Sequence, residues 1–368
     1  MFITILSLLI RSSLQIFGLA LKTSRAQRLA IAALMVALDF HALVFRLDST
    51  PFWGGDLIVA SARGFAVLYT IDLLVISSDP QEVYRKRTQP SSISSLSLSS
   101  RISWAVSLSM SPRGIGWNHQ AAHVPAFSTP PSPAAFIWMR LKSITTLLAS
   151  ITVLWSIIPL SGSDYTQFGN DAPTMWQFIT LRFLHSCIQT FTGRWNIQLM
   201  GQLWSVFAVM LGLSRPEEWP DMSGDLWNAY TLRKGWGSVW HQSFRKMVAT
   251  YGKFIARDVL GLDRGTKMSA YVQLWVAFVL STIAHTWGDY ALTAGALWFS
   301  WRFFLLQPIG IIFEDAVIRI ANSYGWRNNT RWTRLVGYIW VSVWVTATCP
   351  IYFGGIYQAR SLWYQLRA

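Results

Sequence analysis

Two histidines in this sequence stand where an imidazole could do chemistry, and their surroundings are opposite in kind. His285 lies in LWVAFVLSTIAHTWGDYALTAGALW, residues 274–298, toward the end of an apolar run. Ser281 and Thr282 precede it and Asp289 follows four residues later. An ionisable side chain at membrane depth is expensive unless it faces a cavity or finds partners, so His285 is a functional candidate by default. A histidine hydrogen-bonded between helices, or one already at the interface near Asp289, accounts for the same residues equally well. His241 lies in LRKGWGSVWHQSFRK, residues 232–246, among four basic residues and three aromatics. On its own, such a histidine reads first as a solvated face residue. A neutral imidazole is suited to accepting a proton near pH 7, and Asp289 could orient His285 across one helical turn.

The other chemistry-bearing patterns are weak. His119 and His123 sit in a Ser/Pro-rich loop, His41 shares a span with Asp39, and His185 follows Arg182. No pair has HExxH or another tight spacing, so no metal site is expected. GxSxG, the P-loop and GxGxxG are absent from the sequence, which argues against a serine hydrolase of the usual build and against glycine-loop phosphate binding. HTWGD matches the HxxxD spacing of soluble CoA-dependent acyltransferases, but it falls on an apolar span without a downstream DFGWG element, so chance explains it.

The elements that must position these residues follow from composition. Of 368 residues, 52% are hydrophobic and only 13% charged, about half the charge of a soluble chain. Apolar runs at 2–20, 29–47, 57–76, 144–160, 174–192, 197–213, 270–288, 291–313 and 335–354 are long enough to span a hydrocarbon core. Arg11 weakens the first, and Arg182 with His185 the fifth. The expected fold is all-α, a polytopic membrane protein with about seven to nine transmembrane helices. The net charge of +14 lies in loops between apolar runs, where cytoplasmic-side Lys and Arg belong, so no nucleic-acid partner is implied. Cys187 and Cys349 form no disulfide framework or CxxC site. The apolar N-terminus MFITILSLLI lacks an A-x-A-like cleavage site and reads as an anchor.

Charge placement gives a partial topology. Lys22, Arg25 and Arg28 flank one end of the second span, and Asp48 and Asp56 the other. The loop 77–143 carries seven basic residues and reads as cytosolic, whereas 161–173, with Asp164 and Asp171, reads as lumenal. If 174–192 and 197–213 both crossed, the basic loop 214–267 would become lumenal. Arg182 marks 174–192 as the segment expected to lie in the interface or re-enter. The serine and proline of 77–143 predict much mobility, with RGIGW (113–117) as a structured island. Gly235 and Gly237 each cost about 1 kcal/mol inside a helix. A helix is therefore expected from near Trp236 toward Arg257, with His241, Phe244, Arg245 and Val248 on one face and Trp236 paired with Trp240.

Two motifs together carry a family likeness. GWGSVWHQSFRK (235–246) resembles the FWGRRWHQ-type signature of wax synthase-like proteins, a branch of the membrane-bound O-acyltransferases. STIAH (281–285) resembles that family's S-G-x-x-H and follows His241 by 44 residues. PEEWP (216–220) and RGIGW also look like the fungal members, which acylate secondary metabolites, often meroterpenoids, with acetyl-CoA. The departures are Gly235 for Phe, Ser238-Val239 for the basic pair, and Thr282 for the small Gly.

The resemblance implies transfer of an acyl group from CoA, a co-substrate rather than a bound cofactor, to a hydroxyl of a hydrophobic small molecule. It implies a buried catalytic chamber and residence in the endoplasmic reticulum. His285 would be the general base, with Asp289 orienting it. His241 and Gln242 would donate to the thioester carbonyl, beside Trp236 and Trp240. Arg233, Lys234, Arg245 and Lys246 would meet the CoA phosphates, though interface anchoring suits each one alone. The chain divides accordingly into N-terminal helices (1–76), the cytosolic loop (77–143) and an acyltransferase core (144–368), with the lipid bilayer and no protein partner. The alternatives are a long-chain alcohol acyltransferase, a terpene cyclase (for which the buried acids Asp39 and Asp72 are few), a transporter, and a noncatalytic scaffold.

Overall fold

The computed structural model describes residues 2–45, 55–88, 92–121, 124, 131–157, 174–326 and 330–365. The segment 161–173 with its two aspartates, Asp48 and His123 lie outside them. The described residues form twelve α-helices: α1 (Phe2–Ala20), α2 (Arg25–Val44), α3 (Gly55–Ile71), α4 (Pro80–Val83), α5 (Leu98–Ser109), α6 (Pro133–Ile157), α7 (Met175–Met210), α8 (Leu232–Lys234), α9 (Arg245–Lys253), α10 (Lys267–Thr293), α11 (Ser300–Ser323) and α12 (Arg331–Gln365). Three π-turns, Asp72–Ile76, Gly235–Val239 and Phe254–Val259, interrupt them, and the described residues contain no strand. Among the described residues five helical stretches are long and apolar enough to cross a membrane: Arg25–Val44, Gly55–Ile76, Pro133–Leu154, Lys267–Thr293 and Arg331–Arg360; Leu6–Ala20 is apolar but shorter.

Three expectations change. The two segments 174–192 and 197–213 are one helix, α7, of 36 residues, about 54 Å long at 1.5 Å per residue. The polar Gly193-Arg194 between them does not break it, because the Arg194 guanidinium donates to the Gly224 carbonyl at 2.7 Å. The Ser/Pro-rich loop is packed structure over its described part. Ser97 caps α5 and Ser99, Ser100 and Ser103 lie on its exposed face, while Trp104, Ala105, Leu108 and Trp117 are buried. Finally, the helix expected from Trp236 to Arg257 is broken at 240–244.

The chain divides into two compact units. The first comprises Met1–Ala121, Ser243–Pro308 and Gly355–Ala368, and the second Ala122–Gln242 and Ile309–Gly354. In the first unit α3 packs along α10 at backbone distance. A Cβ at Gly64 would sit 2.8 Å from the Ala284 carbonyl oxygen, and one at Gly288 would strike Ser61 and Leu57. Small residues at such a seam let apolar helices approach closely. Charge buried in this unit is paired. Asp39 on α2 accepts from Arg11 of α1 and Arg63 of α3, both at 2.7 Å, and Arg11 also donates to the Ala66 carbonyl and Thr70. Arg11 therefore sits in an apolar helix with four partners, Gln15 on its own helix being the fourth.

In the second unit α6 lies along α7, where Gln202 donates to Ser143, and Arg140 of α6 pairs with Asp221 of the segment after α7 at 2.6 Å. Gly201 leaves room for the Met222 side chain.

Removing one member of a buried ion group leaves an uncompensated charge and costs about 3–5 kcal/mol, whereas replacing the whole group with apolar residues costs less. Asp39→Asn should therefore lower membrane abundance and thermal stability in detergent well below the combined Arg11→Met, Asp39→Leu, Arg63→Met variant. Equal stability of the two would contradict this account of the first three helices.

Candidate functional site

His285 sits on α10 in the first unit, half-buried between two phenylalanines. Its ring meets Phe65 of α3 edge-on with centroids 5.2 Å apart, and lies 4.3 Å from the Phe304 ring of α11. Phe65 is in turn stacked on Phe244 at 3.8 Å. The Nδ1–H of His285 donates to the Ser281 carbonyl at 2.8 Å. A carbonyl oxygen only accepts, so Nδ1 carries the proton and the lone pair of the neutral ring is on Nε2. The hydroxyls of Ser281 and Thr282 bond back to the Ala277 and Phe278 carbonyls one turn earlier. Thr282, at the position of the family's small residue, thus satisfies its own hydroxyl within the helix.

Asp289 does something other than orient His285. Its carboxylate accepts from the backbone N–H of Phe299 at 3.1 Å, the backbone N–H of Ser300 at 2.9 Å and the Ser300 hydroxyl at 2.7 Å. It caps the start of α11 and closes the turn after α10. That turn passes through Ala294 and Gly295 at φ +50° and +85°, and a non-glycine residue there is held against its preference. Thr293 braces it, donating to the Asp289 carbonyl and accepting from Leu297 N–H. The partner that fixes the His285 tautomer is its own helix backbone, and Asp289 fixes where Phe304 can lie.

Trp236, Trp240, His241 and Gln242 belong to the second unit and are brought together there. Trp236 and Trp240 form the expected ring pair, with centroids 5.8 Å apart and nearly perpendicular. The π-turn Gly235–Val239 closes with Trp240 N–H donating to the Gly235 carbonyl at 2.7 Å, and Trp240 then turns extended. Gln242 N–H donates to the Met222 carbonyl, and its side-chain amide donates to the Trp240 carbonyl. Gly224 N–H donates to the Val239 carbonyl. Position 224 must be glycine, since a Cβ there would overlap the Ser238 carbonyl. This pairing with 222–224 ends the helix that periodicity extends through His241. The histidine consequently stands in the non-helical stretch 240–244, outside any helix.

The four basic residues fare differently. Arg233 is exposed and pairs with Asp315 of α11, and exposed Lys234 donates to the Tyr230 hydroxyl. Arg245 opens α9, half-buried. Lys246 corrects the expectation of an exposed phosphate contact: it is buried in the first unit, donating to Asp72 at 2.5 Å and to the Tyr84 hydroxyl at 3.1 Å. Burial pulls its ammonium below the ordinary lysine value, and the Asp72 carboxylate opposes that. Beside it, burial and the Lys246 charge hold His119 down at about 3, so that imidazole is neutral and a poor base. The Asp72 partnership spans 174 residues and leaves no local signal. Phe65 and Phe304 were likewise not legible, since nothing in an apolar run marks which aromatic meets the histidine.

The profile of the membrane bound O-acyl transferase family matches residues 219–306, a stretch containing His241, Gln242, His285 and Asp289. The acetyltransferase eriL of Hericium erinaceus is 30% identical over 341 residues, covering 90% of this chain and 85% of that protein. The chain belongs to the membrane-bound O-acyltransferase family. It is an enzyme, an integral membrane acyltransferase using acyl-CoA and a hydroxylated acceptor. The acetyltransferase ple2 of Rhodocybe pseudopiperita is similar too, 29% identical over 304 residues, 80% of this chain and 77% of that relative. No solved structure matches the chain.

The Lys246 geometry separates two roles. Lys246→Met should destabilise the acyltransferase by about 3–5 kcal/mol, the cost of a buried partnerless carboxylate. The double variant Lys246→Met, Asp72→Leu should recover much of that loss. A raised KM for acetyl-CoA at unchanged thermal stability would instead return Lys246 to the phosphate-binding role.

Proposed function

We propose that this acyltransferase moves an acetyl group from acetyl-CoA to a hydroxyl of a hydrophobic secondary metabolite, such as a terpenoid or meroterpenoid. The observation that carries the mechanism is the His285 tautomer: a neutral imidazole on an apolar helix, with Nδ1–H spent on Ser281 and Nε2 as the basic nitrogen. Nε2 takes the acceptor's hydroxyl proton as the oxygen attacks the acetyl carbonyl carbon. The C–O bond forms, the C–S bond breaks, and the proton passes to the departing CoA thiolate. Positioned bases contribute about 10²–10⁴-fold to such reactions. His241 and Gln242 donate to the thioester oxygen as negative charge develops on it. Trp236 and Trp240 contact the substrate, and Arg233, Lys234 and Arg245 face the CoA phosphates. Asp289 serves by fixing the turn between α10 and α11.

The proposed setting is seven to nine spans around a buried catalytic chamber in the endoplasmic reticulum membrane. Its parts are N-terminal helices (1–76), a cytosolic loop (77–143) and the acyltransferase core (144–368). If α7, which is not among the five most apolar stretches, crosses once, the basic residues of 214–267 stay on the cytosolic side. The names of the acetyltransferase relatives support acetyl as the donor group.

Microsomes containing the chain, given labelled acetyl-CoA and a panel of hydroxylated terpenoids and fatty alcohols, should yield a labelled ester of a terpenoid. His285→Ala at equal membrane abundance should lose at least about 100-fold of that rate. Label found only on fatty alcohols would move the acceptor class, and equal rates in both proteins would remove His285 as the base.

A further inference from the structure

We propose that Glu314 is a positioning residue for the acyl transfer: its buried carboxylate fixes the start of the 231–242 segment so that His241 and Gln242 are presented in one geometry. The inference rests on the reading of His241 and Gln242 given above. Everything it uses lies within the second unit.

A helix begins with four backbone N–H groups that lack intrahelical partners. At the start of α8 three of these, on Leu232, Arg233 and Lys234, are met by side chains. Glu314 on α11 accepts Leu232 N–H at 2.6 Å with one oxygen and Arg233 N–H at 3.1 Å with the other. Lys234 N–H goes to the Thr231 hydroxyl at 3.0 Å and Gly235 N–H to the Thr231 carbonyl at 2.8 Å. A third donor, the indole N–H of Trp340 on α12, reaches Glu314 at 3.0 Å, on the same oxygen that accepts from Leu232. Glu314 is 4% exposed, so its charge is held by these donors and by the positive end of the turn it caps. Its neighbour Asp315 takes the Arg233 guanidinium. Two consecutive acids of α11 therefore grip two consecutive residues, one by backbone and one by side chain.

The far end of the same segment is held by different atoms, Met222 accepting from Gln242 N–H and Gly224 donating to the Val239 carbonyl. Between the two anchors lies the π-turn with Gly235 and Gly237, where a Cβ would meet nothing within 4 Å. Within this turn only Val239, the last residue, is buried, and the two glycines have open space beside them. Its geometry is set by its ends, and Glu314 is the end that no residue within eighty positions of the chain supplies. Misplacing a reacting group by 1 Å costs on the order of 100-fold in rate, so the anchor reaches the chemistry although it touches no substrate.

The test uses the full chain in microsomes, labelled acetyl-CoA and the panel alcohol that the wild-type protein acetylates. Glu314→Gln keeps the shape but cannot accept two N–H groups with two oxygens. It should lower kcat about tenfold, with KM for acetyl-CoA within threefold of wild type, at matched membrane abundance. Trp340→Phe removes only the indole donor and should shift kcat the same way by a smaller factor. It carries the test if Glu314→Gln fails to accumulate. The deciding measurement is the double variant with His241→Ala, because residues acting through one another are not additive. Glu314→Gln should cost no more than twofold in that background. A full tenfold loss there, or unchanged kcat in Glu314→Gln and Trp340→Phe, overturns the proposal. His241→Ala with wild-type kcat would overturn it as well, and that result is visible in the single variant as failure of the His241 reading.

Discussion

A carboxylate buried in an apolar chain must be met by donors, and in this protein that requirement does much of the tying together of distant sequence. Water is not there to solvate the charge, so each acid draws in whatever donors the fold can bring. Asp39 gathers α1, α2 and α3 through two arginines. Asp72 holds α9 through Lys246, Asp56 accepts from Trp363 near the end of α12, and Asp289 joins the end of α10 to the start of α11. Glu314 does the same for α8 in the second unit. The chain has only 17 acidic residues, and these five are spent on architecture.

The consequence for chemistry is a division of labour. These buried acids are held by donors from other elements, while the groups suited to proton transfer are imidazoles whose environment is mostly aromatic. His285 lies between Phe65 and Phe304, and the close α3–α10 approach that Gly64 and Gly288 permit brings Phe65 to it. The tautomer is set by a backbone carbonyl, which cannot change its protonation state. An imidazole held this way depends on packing more than on a neighbouring acid, unlike sites where a carboxylate orients the imidazole.

Local signals carried the reading some distance. The apolar run around His285 and the Trp236–Trp240 spacing are periodic features, and both appear as helix α10 and a ring pair. The family itself was legible from WHQ and the later histidine. What could not be read were the features made by partners far away in sequence. The segments 174–192 and 197–213 read as separate spans and are one helix, the helix expected through His241 ends where Met222 and Gly224 take its backbone, and Lys246, expected at the CoA phosphates, is buried against Asp72. The serine-rich loop misled in the same way, since composition reports average solvation and Trp104 and Trp117 were enough to bury its described part. Asp289 sat one helical turn from His285, and spacing alone could not say that Ser300 would take its oxygens.

The central claim is that His285 takes a proton directly from the acceptor while the acetyl group moves in one step from sulfur to oxygen. Initial-rate kinetics with both substrates varied tests this most directly. Direct transfer requires both substrates bound together, so double-reciprocal lines should intersect, and protein incubated with labelled acetyl-CoA alone should carry no label. Parallel lines together with an acetylated His285 peptide would make the histidine a nucleophile and contradict the account.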